Sequence, residues 1–215
     1  MSIRVVVVDD QDLVRTGLVM IVNAHPDFEV VGEAADGLAA IELVTRLRPD
    51  VLLIDIRMPG LDGVEVTRRL AGPGVADPVA VVVITTFDSD DYVLGAVRAG
   101  ARGFLLKDAG PALLIQAIQA AADGEALIAP SVTPRLLATL VDRAPGPVSQ
   151  PVDRLTPREE EVLVLVAKGG TNAEIAQELF ISLTTVKTHV AALMAKLGVR
   201  NRVEIAMWAY QTHRV

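Results

Sequence analysis

The first 123 residues alternate short, β-branched apolar runs with amphipathic stretches of helical period, and few folds accommodate that rhythm. Ile3 to Val8 reads as a buried strand ended by Asp9-Asp10. A helix is expected over Asp12 to Ala24, with Leu13, Gly17, Met20 and Ile21 at helical spacing. Glu29 to Glu33 is a second strand. Asp36 is a candidate N-cap for a helix reaching Arg48, with Pro49 after its end. Val51 to Asp55 forms a third strand, and Pro59-Gly60 turns into a helix over Leu61 to Leu70. Val79 to Thr85 is the fourth strand, followed by a helix from Asp88 to Ala99. Gly103 to Leu106 is the fifth, and Gly110-Pro111 opens a helix to Ala122. Five apolar strands separated by helices predict a doubly wound, flavodoxin-like α/β domain, its five-stranded parallel sheet covered on both faces.

The pattern then changes. Pro130 to Arg143 reads as one more helix, and Ala144 to Pro151 has the breaker-rich composition of a linker. Beyond it only helical periods remain: Pro157 to Lys168, Asn172 to Leu179, Leu183 to Leu197 and Arg202 to Tyr210. The chain therefore divides into an α/β domain over 1–123, a helix and Pro-rich linker over 124–153, and a four-helix domain over 154–215. Charge divides the same way. Residues 150–215 carry 8 Lys+Arg against 7 Asp+Glu, so the whole excess of acid in a chain of net charge -7 lies upstream. From Leu183 onward five basic residues face one acid, Glu204, and a basic surface is open to nucleic acid despite the acidic total.

Several classes are excluded or disfavoured. With no cysteine, disulfides and thiolate metal sites are impossible. The longest apolar runs, Val5–Val8, Val51–Ile54 and Val79–Ile84, fall far short of the roughly 20 residues that cross a bilayer. The N-terminus enters a strand without signal-peptide architecture. A soluble cytoplasmic protein with no membrane partner is expected.

In doubly wound sheets ligands bind beyond the carboxyl ends of the strands. There the first strand delivers Asp9 and Asp10, the third Asp55, the fourth Thr85 and the fifth Lys107. A single Asp at a strand end is usually a cap or turn-former, and a single Lys is usually solvated. Their convergence from four strands is a different matter. Crowded carboxylates repel and rise in pKa unless a cation joins them. An oxygen-only donor set suits Mg²⁺, which keeps several waters and takes one or two carboxylates. Asp55 would then be a carboxylate nucleophile competent to form an aspartyl phosphate, with Thr85 as hydroxyl donor and Lys107 as a compact counter-charge.

Asp9-Asp10, Asp55 followed by Met58-Pro59-Gly60 and Asp62-Gly63, Thr85, and Phe104 with Lys107 resemble the motif set of response-regulator receiver domains over residues 1 to 123. The resemblance implies Asp55 as phospho-acceptor. It makes Asp10 the principal Mg²⁺ ligand, with Asp9 in support and the backbone carbonyl of Arg57 completing the shell. It also implies a switch in which Thr85 turns toward the phosphoryl group while Phe104 rotates inward. Asp108 follows Lys107 where many members have proline, so a cis bond there would cost about 2.5–4 kcal/mol rather than about 0.5–1.

Thr156-Pro157 reads as an N-cap with proline at the first helical position, followed by glutamates in the positive first turn. Asn172–Leu179, the connection Phe180-Ile181-Ser182 and Leu183–Leu197 have helix-turn-helix proportions. In the second of these helices Val186, Val190, Leu193 and Leu197 share one face and belong in a core. Thr184, Thr188, Ala191 and Ala195 share the other, small enough to enter a major groove. Residues Leu155 to Tyr210 resemble the DNA-binding domain of the NarL/FixJ (LuxR-type) regulators. The motifs run Leu155-Thr156-Pro157-Arg158-Glu159-Glu160-Glu161-Val162-Leu163, Asn172-Ala173-Glu174-Ile175-Ala176, and Ser182 through Val190 to Lys196-Leu197.

That similarity implies that Lys187 and Thr188 reach base edges and that Ala191 touches at most a thymine methyl. Thr171, Thr184, Thr185, Lys196, Arg200 and Arg202 would contact phosphates. Thr184 can equally be a cap, Arg200 and Arg202 solvated charges, and His189 a structural residue beside the buried stripe. Met194, Met207 and Trp208 belong to the core or to a dimer surface.

Together the halves describe a non-enzymatic, phosphorylation-switched transcription factor. Its partners would be double-stranded DNA, a cognate histidine kinase and, when active, a second copy of itself. Phosphohydrolases of the haloacid dehalogenase type share an aspartyl-phosphate pocket, but their nucleophile sits on the first strand in an Asp-x-Asp pattern. Here Asp9 and Asp10 are adjacent and the candidate nucleophile is on the third strand. A receiver that is constitutively on, or switched by a ligand, is the remaining alternative.

Overall fold

The chain is described from a computed structural model covering residues 2–86, 90–128, 154–168, 170–199, 201–212 and 214–215. It divides into two compact units between residues 135 and 136, each with its own core.

In the first unit the order is β1 (Ile3–Val8), α1 (Asp12–Asn23), β2 (Phe28–Ala34), α2 (Gly37–Leu47), β3 (Val51–Ile54), α3 (Gly63–Ala71), β4 (Ala80–Thr85), α4 (Asp90–Ala99), β5 (Gly103–Leu106), α5 (Pro111–Ala122) and β6 (Leu127–Ile128). All strand pairings are parallel, in the order β2-β1-β3-β4-β5-β6. Val5 to Val8, all of β3 and all of β4 are buried, as a sheet covered on both faces requires. The chain leaves β1 for β2 on one side and returns to β3 on the other. That reversal opens a crevice at the carboxyl ends of β1 and β3. The expected N-cap Asp36 accepts from the amides of Leu38 and Ala39, and Asp62 caps α3 through Glu65 N.

Two expectations need correcting. The sheet has a sixth strand, β6, inside the segment read as linker. Gly124 turns the chain at φ 80°, and Leu127 N donates to Arg102 O at 2.9 Å, laying two residues on the edge of β5. A pairing of two residues leaves no periodic trace in sequence. The apolar stripe of α1 is also not the buried one. Leu13 is 86% and Met20 69% exposed, whereas Val22 is buried and Val14, Leu18 and Ile21 are half-buried. The rotation of α1 follows Arg15, which bonds Asp9 O and pairs with Asp12 and Glu33, fixing the helix against the ends of β1 and β2. The helix expected over Pro130–Arg143, the linker 144–151 and the start of the helix expected from Asp88 lie outside the described residues.

The second unit contains α6 (Pro157–Ala167), α7 (Asn172–Glu178), α8 (Leu183–Leu197) and α9 (Arg202–Gln211). Thr156 with Glu159 and Thr171 with Glu174 form reciprocal capping boxes, and Ser182 and Asn201 cap the other two helices. Val162, Leu163, Ile175, Val186, Leu193 and Ile205 fill the core. Trp208 is buried there, with Met194 packed against it, and Met207 is buried as well. Among the described residues no helix is long and apolar enough to cross a membrane.

Candidate functional site

The ladder hydrogen bonds of the sheet carry the pocket residues into register. Asp9 N donates to Ala34 O at 3.2 Å, Asp55 N to Val8 O at 2.9 Å, and Lys107 N to Thr85 O at 2.8 Å. The backbone that builds the sheet thus fixes where each carboxylate and the ammonium emerge. Asp9, Asp10 and Asp55 each offer an oxygen within 4.8 Å of the others. Lys107 Nζ lies 2.6 Å from Asp9 Oδ2 and 2.8 Å from Asp55 Oδ2. All three of these charged groups are nearly closed to solvent, while Asp10 is half-buried.

One cation does not satisfy three carboxylates. Asp10 Oδ1 and Asp55 Oδ1 are buried and accept no hydrogen bond. Such orphaned acceptors are costly unless a ligand meets them. Burial drives the Asp9 carboxyl above its ordinary pKa, and the Lys107 ammonium and the Gln11 amide pull it only part of the way back. Burial also pushes the Lys107 ammonium down. Its hydrogen bonds to Asp55 and Asp9 outweigh that, and its pKa stands above the usual 10.5. The oxygen-only donor set with two unmet acceptors fits a small, hard divalent cation.

Thr85 is buried at the end of β4 and, through its carbonyl, is bonded to the residue that carries the ammonium. Arg57 is exposed in the loop two residues beyond Asp55. The 107–108 bond is trans. Phe104 is fully buried on β5, beside Val83 of β4, so the inward rotation implied by the family resemblance has no exposed starting point here. A phenylalanine has no hydroxyl to draw its ring toward water, and apolar burial keeps it inside.

In the second unit the burial of α8 follows its two faces. Val186, Val190, Leu193 and Leu197 are buried, whereas Thr184, Thr188, Ala191 and Ala195 are exposed. Lys187 and Thr185 are half-buried at the margin, as is His189. The Thr185 hydroxyl lies 2.8 Å from that of Ser182, the helix cap, and Thr188 Oγ1 donates to Thr184 O at 3.0 Å.

Two residues expected to hold phosphates also make ties inside the unit. Lys196 Nζ meets the buried carboxylate of Glu159 at 2.8 Å, joining α8 to α6. Arg202 donates to Asn172 Oδ1 at 2.7 Å and to Gly170 O, joining α9 to α7. The distance in sequence between these partners hid both ties. Arg200 lies outside the described residues.

The Lys196–Glu159 pair makes a measurable difference. Burial alone would raise the Glu159 carboxyl. The Lys196 ammonium and the Thr156 backbone amide and hydroxyl overcome it and hold the pKa below 4.5. A carboxyl depressed on folding adds stability that is complete above its unfolded pKa and is lost as pH falls through the folded value. The second unit is therefore expected to lose stability from about pH 4.5 downward, and Glu159→Gln to flatten that part of the curve in urea titrations. Lys196→Ala leaves a buried carboxylate unpaired. With the ammonium itself partly solvated, the expected loss is about 2 kcal/mol, below the 3–5 kcal/mol of a fully buried pair.

Comparison with known proteins identifies both units. Residues 5–119 match the response regulator receiver domain family, and residues 153–209 match the family of bacterial regulatory proteins of the luxR type. The chain is 42% identical over 213 residues to the transcriptional regulatory protein LiaR of Bacillus subtilis, covering 99% of each. It is 38% identical over 208 residues to the nitrate/nitrite response regulator NarL of Escherichia coli, covering 96% of this chain and 94% of that one. Among solved structures it resembles the response regulator ChrA of a heme-sensing two-component system, with TM-score 0.54, 39% identity, and coverage of 100% and 99%. It also resembles the response regulator RcsB in a complex with DNA, with TM-score 0.59, 27% identity, and coverage of 98% and 99%. A receiver with its acidic crevice, followed by a LuxR-type helix-turn-helix, places this chain in the NarL/FixJ family of two-component response regulators, which are transcription regulators.

Proposed function

We propose that Asp55 accepts a phosphoryl group from a cognate histidine kinase and that this modification governs how α8 engages duplex DNA. The observation that carries the reading is the pairing of Lys107 with both Asp9 and Asp55 beside two buried carboxylate oxygens that accept nothing. Asp9 and Asp10, with Asp55 and the carbonyl of Arg57, would hold Mg²⁺, which supplies charge neutralisation to the incoming phosphoryl oxygens. The Asp55 carboxylate attacks phosphorus as the bond to the kinase histidine breaks. Lys107, already beside Asp55, keeps its charge throughout and takes up a phosphoryl oxygen. The Thr85 hydroxyl turns to donate to another, along a wall that the buried Phe104 already completes. Phosphorylation adds about -1.5 to -2 charges at this point. Because Thr85 O is bonded to Lys107 N, the two groups answer together at the carboxyl ends of β4 and β5.

The receiver runs from residue 1 through the end of β6, a few residues beyond the 123 expected. Residues 129–153 separate it from the DNA-binding domain, which would span 154–215. Lys187 and Thr188 would read base edges. Ala191 would face a thymine methyl, and Thr184 and Thr185 would contact phosphates beside the helix cap. Lys196 and Arg202 would contact phosphates too, while bracing α8 and α9 from within. A monomer presents one α8, so the active form would be a homodimer reading half-sites about 34–36 Å apart. The cytoplasm is the compartment where such a kinase partner and DNA are both met.

Selection of duplexes from random DNA by the full-length chain, with and without acetyl phosphate and Mg²⁺, tests this reading. Enrichment of a symmetric site is expected only when both are present. On that site Lys187→Ala should lower affinity about tenfold, corresponding to roughly 1.4 kcal/mol, and more than it does on random DNA. Equal losses on both would leave Lys187 a merely electrostatic role.

A further inference from the structure

Among the described residues, three helices end in the same two-bond turn with glycine at its left-handed residue. After α4, Gly100 N donates to Val97 O and Ala101 N to Ala96 O. After α5, Gly124 N donates to Ala121 O and Glu125 N to Ala120 O. After α8, Gly198 N donates to Ala195 O and Val199 N to Met194 O. The turn demands positive φ at the first of each pair, which glycine adopts without strain. The turn after α7 has the same two bonds, Phe180 N to Gln177 O and Ile181 N to Ala176 O, but its left-handed residue is a phenylalanine at φ 54°.

Among the described residues, no packing within the unit rewards that choice. The Phe180 ring is 94% exposed, the most exposed large apolar side chain described. Arg48 is the other non-glycine residue at positive φ among the described residues, and its exposed side chain is charged and suited to water. A bulky residue held in a disfavoured conformation with its side chain in water points to a role outside the fold. Its position says which. Phe180 stands two residues before Ser182, the cap of α8, and Leu183 at the first turn is itself 46% exposed. No acidic residue occurs from Phe180 to Val203. This apolar pair continues directly into the exposed threonines of α8, on a stretch whose charge favours a polyanion.

We infer that Phe180, with Leu183, is a DNA-contacting element. Its ring rests on the apolar edge of the strand flanking the groove that α8 enters, either a deoxyribose face or a thymine methyl. This rests on the reading that α8 enters the groove, and it adds apolar contact outside the helix to the polar contacts within it.

The test sets stability against binding. In the full-length chain Phe180→Gly removes the backbone strain and is expected to raise the melting temperature of the second unit by about 4 °C or more. The same change should lower affinity for a duplex selected by the unmodified chain by about tenfold. Phe180→Leu should restore part of the affinity without the gain in melting temperature. Uracil in place of each thymine of the duplex separates the two contacts. Loss on substitution assigns the ring to a methyl group, and indifference assigns it to deoxyribose. Undiminished binding by Phe180→Gly, with Lys187→Ala still impaired, would overturn the inference alone. Undiminished binding by both would remove the reading of α8 with it. A Phe180→Gly chain that binds normally but no longer stimulates purified RNA polymerase would assign the ring to a protein surface, and a fall in melting temperature would show that the chain itself covers it. Either result overturns the DNA contact.

Discussion

Asp55→Asn is expected to abolish phosphate incorporation from acetyl phosphate, with residual labelling at least about a hundredfold below the unmodified chain. The amide is nearly isosteric with the carboxylate and loses only the nucleophilic charge. Folding should survive, because Lys107 retains Asp9 at 2.6 Å and one of three mutually repelling carboxylates has been removed. The melting temperature is expected to stay within about 2 °C of the original, so a loss of labelling cannot be blamed on unfolding. The measurement is acid-stable against base-labile label on intact protein, followed in time with Mg²⁺ present. Undiminished incorporation would move the acceptor to Asp9 or Asp10.

Much of this arrangement was legible before any coordinates. Val5–Val8, Val51–Ile54 and Ala80–Ile84 are continuous apolar runs because they are buried on both faces, and continuity is a strong strand signal. Once those runs are adjacent strands, their terminal residues must share a rim, which is why Asp9, Asp55, Thr85 and Lys107 could be grouped from sequence alone. In α8 the buried and exposed faces followed the 3.6-residue period from Val186 to Leu197, with Leu183 of the first turn exposed.

What stayed hidden was set by contacts between distant residues. In α1, Leu13 and Met20 satisfy a helical period but face water, because both faces of that helix carry apolar residues and Arg15 decides the rotation. The basic side chains of Lys196 and Arg202 look like phosphate ligands in a linear reading. Their carboxylate and amide partners lie 37 and 30 residues away. Phe180 was visible only as part of a short connection, since neither its φ nor its exposure has a sequence signature.

Gly63→Ala should damage both the fold of the receiver and its acceptor site, for a reason that is steric rather than conformational. A Cβ at Gly63 would lie 2.1 Å from Asp55 O, 2.9 Å from Asp55 C and 3.0 Å from Ile56 Cα. All three neighbours are backbone, so no side chain can swing aside. Gly63 N also donates to Ile56 O at 2.8 Å, which pins the start of α3 against the end of β3. Alanine therefore has to push the two elements apart, and the peptide it displaces is the one that carries Asp55. Overpacking of this kind costs about 3 kcal/mol or more, readable as a lower urea midpoint. A shift of about 1 Å in the acceptor should also slow labelling by acetyl phosphate about a hundredfold in the molecules that remain folded. The same substitution at Gly17, where no atom lies within 4 Å, should instead stabilise α1 by about 0.5–1 kcal/mol and leave labelling unchanged. If Gly63→Ala and Gly17→Ala proved equally harmless, the loop after β3 would be too compliant to hold Asp55 in place, and the positioning argument for the acceptor would fall.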